Sequence, residues 1–431
     1  MSTNIVLIGA GSAMFGLETL SNIFKCEALQ GSTIVLHDIN PKSLKKVEDV
    51  AQQYVREKKL PYSIMATTVR EEALQGAHFC IIAIEIGDRY ALWEQDWKVP
   101  LQYGIRQVFG ENGGPGGLFH SLRIIPPILA ICEDIQSICP DAYVINLSNP
   151  MTRISHAVHT KYPNLKYVGL CDQLASPIEY LPTLLETPLF NLTIRAGGFN
   201  HFSILVEVTF KHTGNDAYPI IREKGPDYFA TLHAYFGNIG ERRLVVEILN
   251  RFGYLPTTTD AHLGEFIHWA YDIADHQAIL EFYDKYKQSM IKPIEPSLTV
   301  LTTVSEKLQW RAVPIINGIV IDSHQEEVAV NIPNDGFIEY LPRTQVVEVP
   351  AIVDKDGVHG IKLDNYPKAF AGLLLNQVAA NDLTTEAVLT GSKHVVMQAL
   401  LADPVINNVH ATEEMLNTML VLQKQHLGYI R

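Results

Sequence analysis

The chain has 431 residues, 47% hydrophobic and 19% charged, enough to bury a large core and, by ordinary domain lengths, to form two or three domains. Its 34 Lys and Arg against 47 Asp and Glu give a formal charge of −13, which provides no basic surface for nucleic acid or anionic lipid. The odd set of five cysteines (Cys26, Cys80, Cys132, Cys139, Cys171) contains no CxxC pair, which argues against a disulfide framework and for a reducing, cytoplasmic setting.

Residues 5–8 predict a short buried strand that runs straight into Gly9-Ala10-Gly11-Ser12, so no signal peptide is expected at this end. Leu17, Leu20, Ile23 and Phe24 then share one face of a predicted helix, and residues 33–36 form a second strand ending at Asp38. A charged amphipathic helix follows over 43–58, then strands over 79–84 and 143–147 with a long helix over 118–138 between them. This alternation predicts an α/β fold with a Rossmann-like doubly wound parallel sheet over residues 1–175. Beyond Cys171 the pattern changes: strands are expected over 204–210, 328–330, 336–342 and 346–353, and helices over 265–287 and 373–401. That implies an α+β domain over 176–431. The sequence shows no repeat, no long linker and no uncharged apolar run near the ~20 residues that cross a bilayer.

The glycine turn has the composition of a dinucleotide site. Gly9 and Gly11 let the chain approach a pyrophosphate, and Ser12 and Phe15 open the helix on which it would rest. Met14 stands where the general fingerprint wants Gly or Ala. Asp38 is placed to accept hydrogen bonds from the adenosine ribose and to repel a 2′-phosphate, which favours NAD over NADP. Its competing role is a helix cap before Pro41, which Asn40 serves equally well. Downstream, Gly169-Leu170-Cys171-Asp172-Gln173 and Gly197-Gly198-Phe199-Asn200-His201 offer a thiolate and an imidazole, both good ligands for a divalent transition metal. A dinucleotide site followed by such a pair suggests redox chemistry on a metal-held hydroxyl.

Taken in order, these phrases resemble the NAD- and divalent-metal-dependent family 4 glycoside hydrolases, relatives of lactate and malate dehydrogenases. The likeness runs through the Gly113-Gly114-Pro115-Gly116-Gly117 loop, Asn146-Leu147-Ser148-Asn149-Pro150-Met151, the cysteine and histidine phrases, Val330-Asn331-Ile332-Pro333-Asn334-Asp335-Gly336, Val346-Val347-Glu348-Val349-Pro350 and Leu389-Thr390-Gly391. The resemblance implies that Cys171 and His201 ligate the metal, usually manganese, that Asn149 contacts the sugar beside it, and that Glu111 and Asn112 contact sugar hydroxyls. It implies hydride removal from sugar carbon 3 by NAD⁺, loss of the carbon 2 proton, departure of the aglycone, water addition and return of the hydride. Asp172 corresponds to the residue proposed as general acid in the family's phospho-α-glucosidases.

The segment from Pro256 to Phe266 instead resembles the branch acting on unphosphorylated sugars and uronic acids. Phe266 stands where the family often has Tyr, which excludes a tyrosine base there. Asp260 is then the candidate base, with a helix N-cap as its competing role. His262 is open between ligation, substrate binding and packing. Arg106, Arg123 and Arg153 are partners for an anionic sugar or structural ion pairs. The expected enzyme is an α-glycosidase of a neutral or anionic (uronic or 6-substituted) sugar, with a small-molecule substrate, no nucleic-acid or membrane partner, and a homodimeric or homotetrameric assembly. The alternatives are an NAD-dependent 2-hydroxyacid dehydrogenase and a catalytically silent sugar or NAD sensor.

Overall fold

Short apolar runs buried on both faces are what a parallel sheet requires, and the first half of the chain supplies them. The computed structural model, which describes residues 3–232, 241–291, 296–302 and 312–431, forms strands β1 (Asn4–Ile8), β2 (Thr33–His37), β3 (Ser63–Thr67), β4 (Phe79–Ile82), β5 (Tyr143–Asn146) and β6 (Tyr167–Gly169). They pair in parallel in the order β3-β2-β1-β4-β5-β6, the doubly wound arrangement with its ligand crevice at the carboxyl ends of the strands.

The remaining strands are β7 (Leu192–Phe199), β8 (Phe202–Phe210), β9 (Gln325–Pro333), β10 (Val346–Asp354) and β11 (Gly357–Gly360). All pair antiparallel. They extend the same sheet, because β9 pairs with β6 at Gly169 and Asn331. The change from parallel to antiparallel pairing therefore falls beside the Cys171 phrase.

Three expectations need correction. Residues 336–342 form a looped turn rather than a strand, because the Asn334 carboxamide donates to the carbonyls of Ile338 at 3.0 Å and Leu341 at 2.8 Å and accepts from Ile338 N at 2.9 Å. The helix expected over 265–287 is broken, with a short 3₁₀ turn at Ala270–Asp272 and a helix at His276–Ile291. The one expected over 373–401 is two helices, Lys368–Thr390 and Lys393–Ala402, divided at Gly391, whose φ of 66° caps the first.

The Gly114–Ile138 helix is long and apolar enough to cross a bilayer by composition, yet 83% of its most apolar stretch is buried inside the fold. Within it Arg123 is buried in an ion pair. It pairs with Asp96 at 2.9 and 2.5 Å and donates to Gln423 at 2.7 Å, with Arg123 and Asp96 both buried. Arg106 is likewise engaged, in an exposed pair with Asp272 over the Tyr271 ring. Neither is a partner for an anionic sugar. We expect Arg123→Leu to lower the unfolding free energy by about 3–5 kcal/mol, the cost of stranding a buried carboxylate. Denaturant titration would show it, and a change under about 1 kcal/mol would refute the pair's structural role.

Candidate active site

The glycine turn is dictated by close approach. Gly9 has φ +91°, and a Cβ there would lie 2.0 Å from the Ala83 carbonyl oxygen of the neighbouring strand end, so only glycine fits. The Ala13–Lys25 helix begins at once, with Ser12 Oγ capping Phe15 N at 3.3 Å. Its tight seat on the turn comes from Gly16, where a Cβ would meet the Ala10 carbonyl oxygen at 2.3 Å. The glycine missing at position 14 is thus supplied two residues later, outside the fingerprint's spacing.

Asp38 leaves β2 and accepts from Gly11 N at 2.8 Å and Asn40 N at 2.8 Å. Asn40 caps the Pro41–Lys58 helix, taking hydrogen bonds from Lys42 N and Ser43 N. The helix cap is therefore filled, and Asp38 belongs to the glycine turn.

Gly9, Gly11, Ser12, Phe15 and Asp38 line one end of a cleft of about 820 Å³, and Asn149, Cys171, Asp172 and Glu111 line the other. Asn149 is held at the mouth of β5 by Met151 N, which donates to its Oδ1 at 3.2 Å. Asp172 is exposed toward solvent along this wall.

Cys171 and His201 meet. The two-residue turn between β7 and β8 puts His201 at φ 63°, an uncommon region for a side-chain-bearing residue. From there its Nε2 lies 3.3 Å from Cys171 Sγ, with both residues buried. Two donors of one divalent ion, at about 2.3 Å for sulfur and about 2.1 Å for nitrogen, are separated by just such a distance. Burial, followed by the charges of Asp172 and Glu348, pushes the Cys171 thiol pKa up. Burial and then the nearby His262 push the His201 imidazole well down, so it is neutral, the form that ligates. Asn200 Oδ1, buried beside them, has no partner among the described residues. The pair and its surroundings fit a cation, although among the described residues no three His, Cys, Asp or Glu side chains gather in metal-binding geometry.

Two buried carboxylates that sequence reasoning gave no role hold this arrangement. Glu348 on β10 accepts from Asn200 Nδ2 at 2.9 Å, Ser203 Oγ at 2.8 Å and Gln173 Nε2 at 2.7 Å, so it ties the histidine turn to the cysteine phrase. Glu265 accepts from the backbone amides of Glu111, Asn112 and Gly113 at 2.7, 2.9 and 2.9 Å and sets the loop ahead of the Gly114–Ile138 helix.

On that loop Glu111 reaches Arg89 Nη2 at 3.1 Å and faces His262 Nε2 at 3.7 Å. Arg89, also unforeseen, lines the cleft with Glu85, Glu111 and Tyr286. Burial alone would raise the Glu85 pKa, but His120 and Arg89 outweigh it and bring it down to about 2. His262 lies tilted against His201, with ring centres 4.5 Å apart, and meets Tyr283 Oη at 3.0 Å. Asn112 departs from expectation: it does not line the cleft, and its amide sits behind the two histidines. Arg153 is fully buried near Asp403 at 3.5 Å and is no surface for an anionic sugar.

Asp260 does not reach the cleft either. It is wholly buried, its Oδ1 accepts from Leu244 N and Val245 N at 3.0 and 3.1 Å, and its Oδ2 accepts from Asp275 N at 3.3 Å. It caps the start of the Arg243–Phe252 helix from a distance, and a carboxylate tied to three amides behind the wall does not meet a sugar proton. Neither sequence reading holds: Thr259, not Asp260, is the N-cap of the Asp260–Gly264 helix, and the Asp260 carboxylate instead ties the start of the Arg243–Phe252 helix to Asp275.

The doubly wound sheet thus carries a cleft lined by the glycine turn at one place and the Cys171 thiol at another, with the His201 imidazole buried against that thiol. The models of the family 4 glycosyl hydrolase and of its C-terminal domain match residues 4–186 and 196–406. An α-glucosidase of Erwinia rhapontici is 48% identical over the full length of both chains. The chain belongs to glycosyl hydrolase family 4. A solved 6-phospho-α-glucosidase from gut microorganisms, in complex with NAD and Mn²⁺, superposes with a TM-score of 0.81 at 19% identity, covering 98% of each chain. The malate dehydrogenase of Plasmodium falciparum, in complex with NADH, shares the fold at a TM-score of 0.54 and 12% identity, over 91% of this chain and 99% of that one.

We expect Asp260→Ala to lower stability by at least about 2 kcal/mol, since a cap and buried amide partners are lost together, while NAD affinity stays within twofold. Thermal unfolding alongside cofactor titration checks this. An unaltered melting curve with sugar release lost would restore Asp260 to catalysis.

Proposed function

We propose that this chain is an NAD- and divalent-metal-dependent α-glycosidase acting on a neutral hexoside by transient oxidation at sugar carbon 3, elimination across carbons 2 and 1, and water addition. The observation that carries this reading is the single cleft that joins the glycine turn and Asp38 to Asn149, Cys171 and Asp172. In it Gly9, Gly11, Ser12, Phe15 and Asp38 would hold the dinucleotide, and Cys171 with His201 would hold the cation. When bound, the nicotinamide supplies a reversible hydride acceptor and the cation a Lewis acid for the sugar hydroxyls.

The chain's own residues supply the rest. Asn149 offers its carboxamide to the sugar beside the cation. Asp172, exposed on the wall, would give a proton to the departing glycosidic oxygen. The carbon 2 proton passes to a group facing the cleft, which Asp260 does not. Among the described residues the wall around Cys171 carries Glu85, Glu111 and Asp172, and the Arg89 guanidinium beside them is already shared by Glu85 and Glu111 at 3.6 and 3.1 Å. Such a wall disfavours a phosphate or carboxylate on the sugar, in keeping with the Erwinia α-glucosidase as a relative. The reduced cysteines suit a cytoplasmic enzyme, which we take to work as a homodimer or homotetramer.

With NAD⁺, Mn²⁺ and a thiol reductant, we expect nitrophenol release from nitrophenyl α-glucoside without net NADH formation, and at least tenfold slower release from the 6-phosphate and uronate analogues. Cys171→Ser and His201→Ala should abolish release while leaving NAD affinity within a few-fold. Full activity of either variant in chelator would sink the metal assignment, and stoichiometric NADH from a 2-hydroxy acid would favour a dehydrogenase.

Removing the Asp38 carboxylate deletes both the ribose acceptor and the repulsion of a 2′-phosphate. Asp38→Ala should therefore weaken NAD binding roughly tenfold, the worth of one charged hydrogen bond at about 1.5 kcal/mol, and narrow the preference over NADP. Parallel titration of both cofactors is the check, and unchanged selectivity would leave Asp38 a turn residue only.

A further inference from the structure

Asn112 stands behind the donor pair rather than in the cleft. Its backbone is fixed, since Glu265 Oε2 takes its N–H at 2.9 Å and the next residue caps the Gly114–Ile138 helix. Its side chain is buried, and one end of the amide, Nδ2, lies 2.8 Å from His201 Nδ1 and 3.3 Å from His262 Nδ1. The other end, Oδ1, is buried with no partner among the described residues. His201 Nε2 faces Cys171 Sγ at 3.3 Å, so Nε2 is the nitrogen a cation would take, and Nδ1 is the one Asn112 governs.

An imidazole that ligates through Nε2 in its neutral form carries its proton on Nδ1, and that N–H needs an acceptor. As placed, the amide offers Nδ2 to Nδ1, which holds the proton on Nε2 and directs it at Cys171. Half a turn of the same amide puts Oδ1 in that position. It then accepts from His201 Nδ1–H and frees the Nε2 lone pair, while Nδ2 moves to the position Oδ1 now holds. Terminal amide orientation is what a hydrogen-bond network decides.

We propose that Asn112 is a positioning residue whose side-chain amide selects the His201 tautomer, with Oδ1 toward Nδ1–H as the orientation that makes the Cys171–His201 pair competent for a divalent cation. This rests on the metal assignment made above, and its failure is distinguishable from failure of that assignment because the wild type serves as the reference. His262 Nδ1 shares the same amide end, so the choice that prepares His201 also polarises His262, whose Nε2 meets Tyr283 Oη at 3.0 Å.

The test is Co²⁺ binding to the full-length protein, followed by the thiolate-to-metal absorption band, in wild type, Asn112→Leu and Asn112→Asp. Leu fills the space without an acceptor, and we expect it to weaken Co²⁺ binding about 10- to 100-fold, the usual cost of losing a ligand's outer hydrogen bond. Asp is acceptor-only and should stay within about threefold of wild type, while NAD affinity is unchanged in both. Leu binding Co²⁺ as well as wild type does, or Asp losing as much as Leu, overturns the proposal. Absence of the band in wild type would instead remove the metal assignment itself. Should the Leu variant fail to fold, ¹⁵N NMR of Zn²⁺-loaded wild type with labelled histidines decides. Protonated Nδ1 with metallated Nε2 on His201 supports the proposal, and metallated Nδ1 or protonated Nε2 defeats it.

Discussion

The arrangement depends on a carboxylate buried where the two parts of the sheet meet. Glu348 is fully buried on β10 and takes hydrogen bonds from Gln173, Asn200 and Ser203, with Asn331 Nδ2 at 3.4 Å. A buried carboxylate is costly unless such donors surround it. Here the donors come from the loop after β6, the turn between β7 and β8, strand β8 and strand β9. Meeting the carboxylate's needs therefore holds Cys171 and His201 at one distance. The pairing of β6 with β9 brings these segments together, so the register of one strand pair fixes the reactive pair.

Much of the parallel half was legible because its strands are short apolar runs, the first two closed by Gly9 and Asp38. Two strands were not. β3 is an edge strand with Met65 56% exposed, so it carries no apolar run, and β6 has three residues, too few for a pattern. Gly16 escaped notice because the requirement is a close approach to the Ala10 carbonyl, which depends on the helix's seat and not on spacing from Gly9. The loop at 336–342 was misread as strand because its apolar residues are buried by a turn that Asn334 ties together.

The donor pair was legible from residue chemistry and family likeness, yet its support was not. Glu265 meets amides more than 150 positions away in sequence, and no local pattern announces such a contact. The family likeness gives Glu111 and Asn112 the same role, a sugar contact. Neighbours in a loop face opposite ways, and here Glu111 turns to Arg89 in the cleft wall while Asn112 turns inward to the histidines.

The acidic residues sort by what satisfies them. Glu265, Glu348 and Asp260 are wholly buried, and each has its oxygens occupied by amide or hydroxyl donors fixed in the fold. Such lone pairs are committed, and taking up or giving a proton there would break the frame they hold. Glu85 and Glu111 instead face the cleft opposite Arg89 and imidazoles, and Asp172 stands at its open wall. Carboxylates that face a cleft are the ones a substrate can meet. On that ground the proposed chemistry rests with the cleft carboxylates, while Asp260 joins the buried ones that hold the frame.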